Sequence, residues 1–448
     1  MEFPLILGLS AALVPCLVLL IRNPLLALFA TIIYTFILPV VGRETMVPFQ
    51  FGVITELLLL LTWIGALVNP KAADWQASAN DLVLLTTIWF VISVLQIFNP
   101  AGASVMGWLS EIRTTALTMV LTVPLACALI RKEKHADIFL YLTIGWAVIA
   151  AVNGIKQLYI GLFPGEEAFL MANTKTHLIR GVLRVFSFYT DAAMFGASMA
   201  QVALISWVLA LGPFTKWKRI MLFLISALLF YAMMISGTRG AFFVFAGGVA
   251  GLFLTKNFRL LLIGLFGLVL LFSFLKFTNI GQGNYQVRRL RTAVNPTEDA
   301  SFLVRMNTQM MLRDYLADKP FGGGLGTIGN NGKEHNPGTF LAGLEPDSYW
   351  VKVWAMYGIT GLVVWFCLMC YILGKCCRIV WRTEDPKLKI KLVALVSATI
   401  GVFIASYGNE VINRTPASIL AFISLAIIYN SRKWDTGTKQ QKEVEHAI

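Results

Sequence analysis

Three arginines lie next to or between apolar segments, at positions where a membrane protein could bind an anion. Arg184 precedes an apolar run, Arg239 lies in a short segment between two apolar runs, and Arg305 lies in a polar segment. Because a guanidinium donates several hydrogen bonds in a planar fork, these residues suit a diphosphate. The alternative for each is an arginine that anchors a helix end at lipid headgroups. The pattern predicts an anion site close to a membrane surface.

Three groups that can accept a proton share the polar segment of Arg305: His335, Glu345 and Asp347. Transfer from a diphosphate to a hydroxyl needs such a general base, because a hydroxyl is a weak nucleophile. The alternatives are a solvated loop histidine at position 335 and a helix N-cap at Asp347. Asp347 begins an apolar run, whereas His335 lies in a Gly- and Asn-rich stretch with more freedom to move. We therefore expect Asp347 to be the base.

The elements that carry these residues are predicted to be membrane helices. The chain is 57% hydrophobic and 14% charged, which excludes an ordinary soluble domain. Uninterrupted apolar runs of about 20 residues match helices rather than barrel strands. The expected fold class is an all-α polytopic membrane helix bundle with one large loop.

We place about thirteen membrane helices, the first retained rather than cleaved. These spans are Phe3–Ile21, Pro24–Val41, Phe51–Val68, Asp81–Phe98, Arg113–Ile130, Asp137–Ile160, Asp191–Leu211, Lys218–Ile235, Ala241–Leu254, Phe258–Phe277, Asp347–Lys375, Leu388–Tyr407 and Pro416–Tyr429.

Lysines and arginines in the short loops set the orientation. Alternating helices place the cation-rich short loops on one side, which the positive-inside rule assigns to the cytoplasm. The large loop 278–346 then lies outside, between the transmembrane segments 1–277 and 347–430, and the tail 431–448 lies in the cytoplasm. Because the net charge of +13 is dispersed, it favours contact with anionic lipid and substrate rather than nucleic acid.

Two stretches of the large loop carry local patterns. Arg305, Gln309 and Arg313 recur at helical spacing and predict one polar stripe, with Phe302, Met306 and Met310 on the apolar side. The glycine-rich segment Pro320–Gly326 could cradle a phosphate, but we favour a flexible turn because no strand-loop-helix context surrounds it.

The order of these motifs resembles the bacterial O-antigen ligase and Wzy-type O-antigen polymerase superfamily. The similarity covers roughly residues 180 to 361. The motifs that carry it are Arg184-x-Phe-Ser-Phe, Ser-Gly-Thr-Arg239-Gly, Arg305 followed by Lys319-Pro-Phe-Gly-Gly-Gly-Leu-Gly326, and Asp347-Ser-Tyr-Trp leading into Tyr357-Gly-Ile-Thr-Gly361.

The resemblance implies a GT-C-like fold in the bacterial inner membrane and a periplasmic active site. It implies metal-independent, inverting glycosyl transfer without a cofactor, from an undecaprenyl-diphosphate-linked oligosaccharide to an acceptor glycan. Arg184, Arg239 and Arg305 then bind the diphosphate. Ligases of the family carry a His-Asn pair where this chain has Asp347 and Ser348, which favours a polymerase of O-antigen, capsule or exopolysaccharide repeats over a ligase that transfers glycan to lipid A-core.

The rival from another class is a lipid-linked glycan flippase or transporter. Such a protein is expected to hold charged residues at the bilayer midplane and to show inverted repeats. Charges here map instead to the outer ends of the predicted helices or to their outer loops: Glu56, Lys156, Arg184, Arg239, Asp347, Lys352, Glu410 and Arg414. A non-catalytic scaffold is a third reading, and it leaves the arginines unexplained.

Overall fold

The computed structural model describes residues 15–45, 52–179, 181–280, 283, 288, 291 and 300–447. Within them the chain is helical almost throughout. The longer helices are Pro24–Thr45, Gly52–Val68, Asp81–Leu95, Val105–Leu129 with a π-helical turn at Arg113–Leu117, Glu133–Tyr159, Ala192–Ala210, Lys216–Ile235, Arg239–Leu254 with a 3-10 start over Arg239–Phe245, Phe258–Phe277, Ala300–Tyr315, Tyr349–Arg382, Pro386–Ala405 and Ala417–Ala447.

Short elements complete the described chain. The short helices are Trp75–Ser78, Gln96–Phe98, Pro164–Ala172, Thr174–His177, Gly329–His335 and Leu341–Gly343. Two antiparallel strands of two residues each, Leu178–Ile179 and Val182–Leu183, pair Leu178 with Leu183.

Nine helices in the described ranges are long and apolar enough to cross a membrane, and two more apolar helices are shorter. This confirms the all-α polytopic membrane fold class. Each predicted span from Pro24–Val41 onward corresponds to a helix, whereas the predicted span Phe3–Ile21 lies mostly outside the described residues. Ala192–Ala210 and Pro386–Ala405 are the most buried of these helices, and Phe258–Phe277 lies at the periphery.

Polar contacts gather at two ends of the bundle. At one end Lys433 Nζ lies 2.8 Å from Asp74 Oδ2. At the other end the backbone N–H of Ser104 donates to Asn336 Oδ1 over 2.8 Å. We call the second end the cavity end.

Two differences between predicted and observed helix starts affect the site. The predicted Arg113 start is wrong, because the helix begins at Val105, where the Ser104 hydroxyl accepts from the Gly107 N–H at 3.0 Å. The alternative of an N-cap at Asp347 is also wrong. The Ser348 hydroxyl caps the Tyr349–Arg382 helix instead, which leaves the carboxylate of Asp347 available.

The glycine-rich segment Pro320–Gly326 is a packed turn, so the prediction of a flexible one is wrong. Its backbone fits against a kink in the Tyr349–Arg382 helix, where Gly358 has a φ of 68°. The Gly323 N–H donates to the Ala355 carbonyl at 2.8 Å. A Cβ at Gly322, whose own φ is +74°, would lie 2.3 Å from Gly358 N. The glycines permit close backbone approach.

The Ala300–Tyr315 helix turns its polar side toward the protein, whereas an amphipathic helix usually buries its apolar side. Arg305 and Gln309 are partly buried, whereas Met306 and Met310 are 39% and 49% exposed. Arg313, the third residue of the predicted stripe, has a 72% exposed side chain and pairs with its neighbour Asp314. The polar side near Arg305 therefore faces the protein, and the two methionines of the predicted apolar side face outward, whereas Phe302 is partly buried.

Candidate functional site

A cavity of about 660 Å³ opens at the cavity end. Four parts of the chain form its walls: the outer turn of the Val105–Leu129 helix, the segment from Phe169 to Met194, the segment from Gly329 to Lys352, and the turn after the Pro386–Ala405 helix. The charged residues that line it are Glu111, Arg184, Asp191, Glu334, Glu345, Asp347, Lys352, Glu410 and Arg414.

Arg184 is fixed by hydrogen bonds on one wall. Its Nη1 donates to the Thr176 carbonyl at 2.9 Å, its Nε to the Ser236 carbonyl at 3.3 Å, and its Nη2 to Thr238 Oγ1 at 3.2 Å. Ser236 and Thr238 belong to the turn that carries Arg239. The structure therefore ties Arg184 to the turn of the second predicted arginine.

A buried carboxylate holds this wall on the bundle. Glu166 accepts from Lys156 Nζ at 2.7 Å, Gln157 Nε2 at 2.8 Å and Asn153 Nδ2 at 3.1 Å. Burial raises the pKa of Glu166, but the hydrogen bonds from Lys156 and its neighbours outweigh burial and lower it. The charged form is the one that holds the Pro164–Ala172 helix in place.

His177 lies beside Arg184 on the same wall and belongs to none of the motifs that the sequence predicted to be functional. Its ring is buried, Nδ1 lies 2.8 Å from Thr176 Oγ1, and Nε2 accepts from the Ala192 N–H at 3.3 Å. Burial, and then the nearby charge of Arg184, lower the pKa of His177. The ring is therefore neutral at pH 7, and it supports the start of the Ala192–Ala210 helix.

Asp347 and Arg305 meet at the rim of the cavity. Arg305 Nε donates to Asp347 Oδ2 at 3.0 Å, and the side chains are 31% and 55% exposed. Glu345 and Asp347 line both the cavity and the small adjoining groove that contains Arg305. The structure thus brings together one predicted base and one predicted anion-binding arginine.

A chain of alternating charges forms the floor. Lys352 Nζ lies 2.9 Å from Glu111 Oε1 and 3.2 Å from Glu410 Oε2. Arg414 Nη2 lies 3.3 Å from the same Glu410 oxygen. Asn331 Nδ2 donates to Glu111 Oε2 at 2.7 Å, which joins the large loop to the bundle. Glu111 and Lys352 are buried, so each charge depends on its partners.

The partners of Glu410 keep it ionised. Burial on its own raises the pKa of Glu410, but Lys352 and Arg414 lower it from 4.5 to about 2. Glu410 in turn raises the pKa of Arg414. A carboxylate held in this state is a poor proton acceptor at neutral pH, and it suits the positioning of cations.

Three predicted site residues lie outside the cavity lining: His335, Arg239 and Arg305, of which Arg305 lines the adjoining groove. His335 ends the short Gly329–His335 helix with a side chain only 17% exposed, so it is less free than the sequence suggested. Asn336 explains this, because its amide accepts from Ser104 and donates to the Gly326 carbonyl at 2.9 Å. Arg239 follows the turn held by Arg184, and it too is absent from the lining residues.

Glu111 is the largest omission of the sequence analysis. It is the seventh residue of the Val105–Leu129 helix, whose start was predicted too late, and a charge in such a helix is a signal for function. Among the described residues, no three His, Cys, Asp or Glu side chains form a group that could hold a metal ion.

The fold and this site define a multi-pass membrane protein with a charged cavity at one end of a helix bundle. Residues 224–366 match the family Wzy_C, described as O-Antigen ligase. That region contains Arg239, Arg305 and Asp347. It supports the O-antigen ligase and Wzy-type polymerase superfamily, so the resemblance is confirmed.

The chain is also similar to a protein named O-antigen polymerase from Salmonella muenchen. The two sequences are 25% identical over 338 residues, which cover 71% of this chain and 81% of the relative.

Proposed function

We propose that this protein transfers glycan from an undecaprenyl-diphosphate-linked oligosaccharide to a sugar hydroxyl in the periplasm, and that it thereby polymerises repeat units of O-antigen, capsule or exopolysaccharide. The observation that carries the proposal is the cavity where Arg184 and Asp347 share one lining and Arg305 contacts Asp347 at the rim. The name of the Salmonella muenchen relative supports the choice of polymerase.

The proposed step is a single displacement. Asp347, or Glu345 or His335 in its place, takes the proton of the acceptor hydroxyl as that oxygen attacks the anomeric carbon. The bond from this carbon to the diphosphate breaks from the opposite face, and its electron pair leaves with undecaprenyl diphosphate. Arg184, Arg239 and Arg305 stabilise the charge that develops there. The step inverts the anomeric centre and is independent of a metal ion.

A ligase that transfers glycan to lipid A-core is the second candidate, and the superfamily includes both activities. The Asp347-Ser348 sequence, in place of the His-Asn pair of ligases, favours the polymerase. A flippase or transporter is the third candidate. The gathering of charge at one end of the bundle speaks against it, because a transporter needs its substrate site near the midplane.

A deletion strain separates these candidates by what it accumulates. Loss of a polymerase leaves single repeat units on lipid A-core, and loss of a ligase leaves long glycan on the lipid carrier. Loss of a flippase leaves repeat units on the cytoplasmic leaflet. Gel and mass analysis of both glycan pools gives the answer, and either of the last two patterns would overturn the proposal.

The arginine assignment has its own test in complemented cells. Arg239→Lys and Arg305→Lys keep the charge but lose the bidentate fork, so we expect each to lower glycan assembly by about tenfold or more. Lys175→Arg is the control, because Lys175 is exposed and lies outside the cavity lining. Full assembly by both lysine variants at normal expression contradicts the diphosphate role. Purified enzyme that loses its activity in EDTA contradicts metal independence.

A further inference from the structure

Arg414 is a cavity cation that lies outside all the motifs that carry the family resemblance. It lies in the turn between the Pro386–Ala405 and Ala417–Ala447 helices, and its side chain is 41% exposed toward the cavity that it lines. Nε and Nη2 both reach Glu410 Oε2, at 3.4 and 3.3 Å. Nη1 makes no hydrogen bond to the described residues, so one edge of the fork remains for a ligand.

Arg184 differs in this respect. All three of its guanidinium nitrogens donate to protein oxygens, at 2.9 to 3.3 Å. Because a donor already engaged must exchange partners to bind a ligand, Arg184 can offer the diphosphate only its remaining N–H groups. Arg414 has more donor capacity left for an incoming anion.

The floor network gives Arg414 a fixed orientation. Glu410 holds the guanidinium, Lys352 at 3.2 Å and Asn413 Nδ2 at 3.0 Å hold Glu410, and Glu111 holds Lys352. Two glutamates and two cations alternate in this network, so the charges of these four side chains sum to zero. A buried charge network is weak evidence for stability, since well-packed apolar residues often replace one without loss. Its arrangement instead favours a positioning role.

The remaining carboxylates restrict where an anion can sit. Asp191 influences Arg414, but its Oδ1 already accepts from the Met194 N–H at 2.9 Å as a helix cap. Glu334, Glu345 and Asp347 belong to the large-loop wall, and Arg305 contacts Asp347. An anion is therefore most favourably placed against Arg414.

We propose that Arg414 is a further anion-binding residue of the cavity and that Glu410 is its positioning residue. The ligand group is a phosphate or carboxylate oxygen, either the diphosphate of the lipid carrier or the carboxylate of an acidic sugar in the glycan. The assignment rests on the proposed function, because it names a contact within the same cavity.

Binding to the full-length protein in lipid nanodiscs tests this directly. The probes are sugar-free undecaprenyl diphosphate, a glucuronate-containing oligosaccharide and its neutral glucose analogue. Arg414→Gln is expected to weaken binding of the anionic ligand about tenfold, because a charge-assisted hydrogen bond is lost. Arg313→Gln is the matched control, since Arg313 lies outside the cavity lining and is expected to bind as wild type does.

The pattern across probes identifies the source of the anion. Loss for undecaprenyl diphosphate alone assigns Arg414 to the carrier, and loss for the glucuronate probe alone assigns it to the glycan. Glu410→Gln should weaken the same probe, and the effect of the double variant should be smaller than the product of the two single effects if Glu410 acts through Arg414. Arg414→Lys, which keeps the charge, should recover part of the affinity and serves if Arg414→Gln does not fold.

Binding of both anionic probes by Arg414→Gln within about twofold of wild type, with an unchanged melting temperature, overturns the proposal. A wild-type protein that binds neither anionic probe overturns it as well. A polymerisation assay on the same preparations distinguishes failure of the Arg414 assignment from failure of the proposed function. Active wild-type enzyme with an unaffected Arg414→Gln variant removes only the role of Arg414, whereas wild-type protein without transfer activity removes the proposed function.

Discussion

Arg305 Nε donates to Asp347 Oδ2 across 3.0 Å, so the arginine predicted to bind the donor and the carboxylate predicted to act as base are partners of each other. Both side chains are partly exposed, at 31% and 55%, and exposed pairs of this kind contribute at most about 1 kcal/mol. A diphosphate can therefore compete for Arg305. When it does, Asp347 loses its hydrogen bond from Arg305, and its Oδ2 becomes available to accept from the hydroxyl of the acceptor.

The first prediction concerns Asp347→Asn. This substitution keeps the shape and removes the base, so we expect polymerisation to fall about 100-fold or more. Stability should be unchanged, because the Ser348 hydroxyl caps the helix at 3.3 Å from the Val351 N–H. Transfer rates and thermal melting of the purified variant measure the two effects.

His335→Ala is the comparison for this prediction. His335 lies outside the cavity lining, so its loss should cost much less activity than Asp347→Asn. An active Asp347→Asn protein beside an inactive His335→Ala protein would transfer the base role to the histidine and favour a ligase-like mechanism.

The sequence predicted the helices well because a membrane span needs a long apolar run, and such a run is visible locally. Pairing across the chain is not visible in this way. Glu111 Oε1 and Lys352 Nζ lie 2.9 Å apart although they belong to helices far apart in sequence. The sequence around either residue gives no sign of the other. Glu111 was therefore missed, and although Lys352, Glu410 and Arg414 were placed at the outer ends of helices, their pairing into one floor was not predicted.

The glycine-rich turn shows the same limit. Its composition allowed mobility, yet Pro320–Gly326 is packed because a kink at Gly358 leaves carbonyls that its N–H groups reach. A kink without proline has no reliable local signal. The local sequence shows the glycines of the turn, but it does not show that they pack against the kink at Gly358.

The second prediction tests that packing. Gly322→Ala places a Cβ 2.3 Å from Gly358 N at a φ of +74°, so we expect a loss of about 2 kcal/mol or more in the free energy of unfolding. Gly343→Ala is the control, because a Cβ there meets no atom within 4 Å of the described structure. Thermal melting in detergent measures both. Equal melting temperatures for the two variants contradict a packed turn.

The third prediction concerns acid stability. The pKa of Glu410 is about 2 in the folded protein, below its ordinary 4.5, so between these values the unfolded chain binds more protons than the native state. The stability that Glu410 contributes is therefore complete above pH 4.5 and is lost as the pH falls toward 2. Between about pH 5 and pH 3 we expect the melting temperature of wild type to fall more steeply than that of Glu410→Gln. Parallel curves would show that Glu410 is not held ionised.

The fourth prediction concerns sidedness. Asn336 contacts Ser104 at the cavity end, and Lys433 contacts Asp74 at the other, so the helices alternate between two ends as the cation bias of the loops requires. Single cysteines at the exposed positions Ala317 and Lys132, in a chain whose native cysteines are replaced, should therefore label from opposite sides. In spheroplasts an impermeant maleimide should react with Ala317→Cys alone, and permeabilised cells should label both. Labelling of both variants in intact spheroplasts would contradict the topology, and with it the periplasmic site on which glycosyl transfer from an exported lipid-linked donor depends.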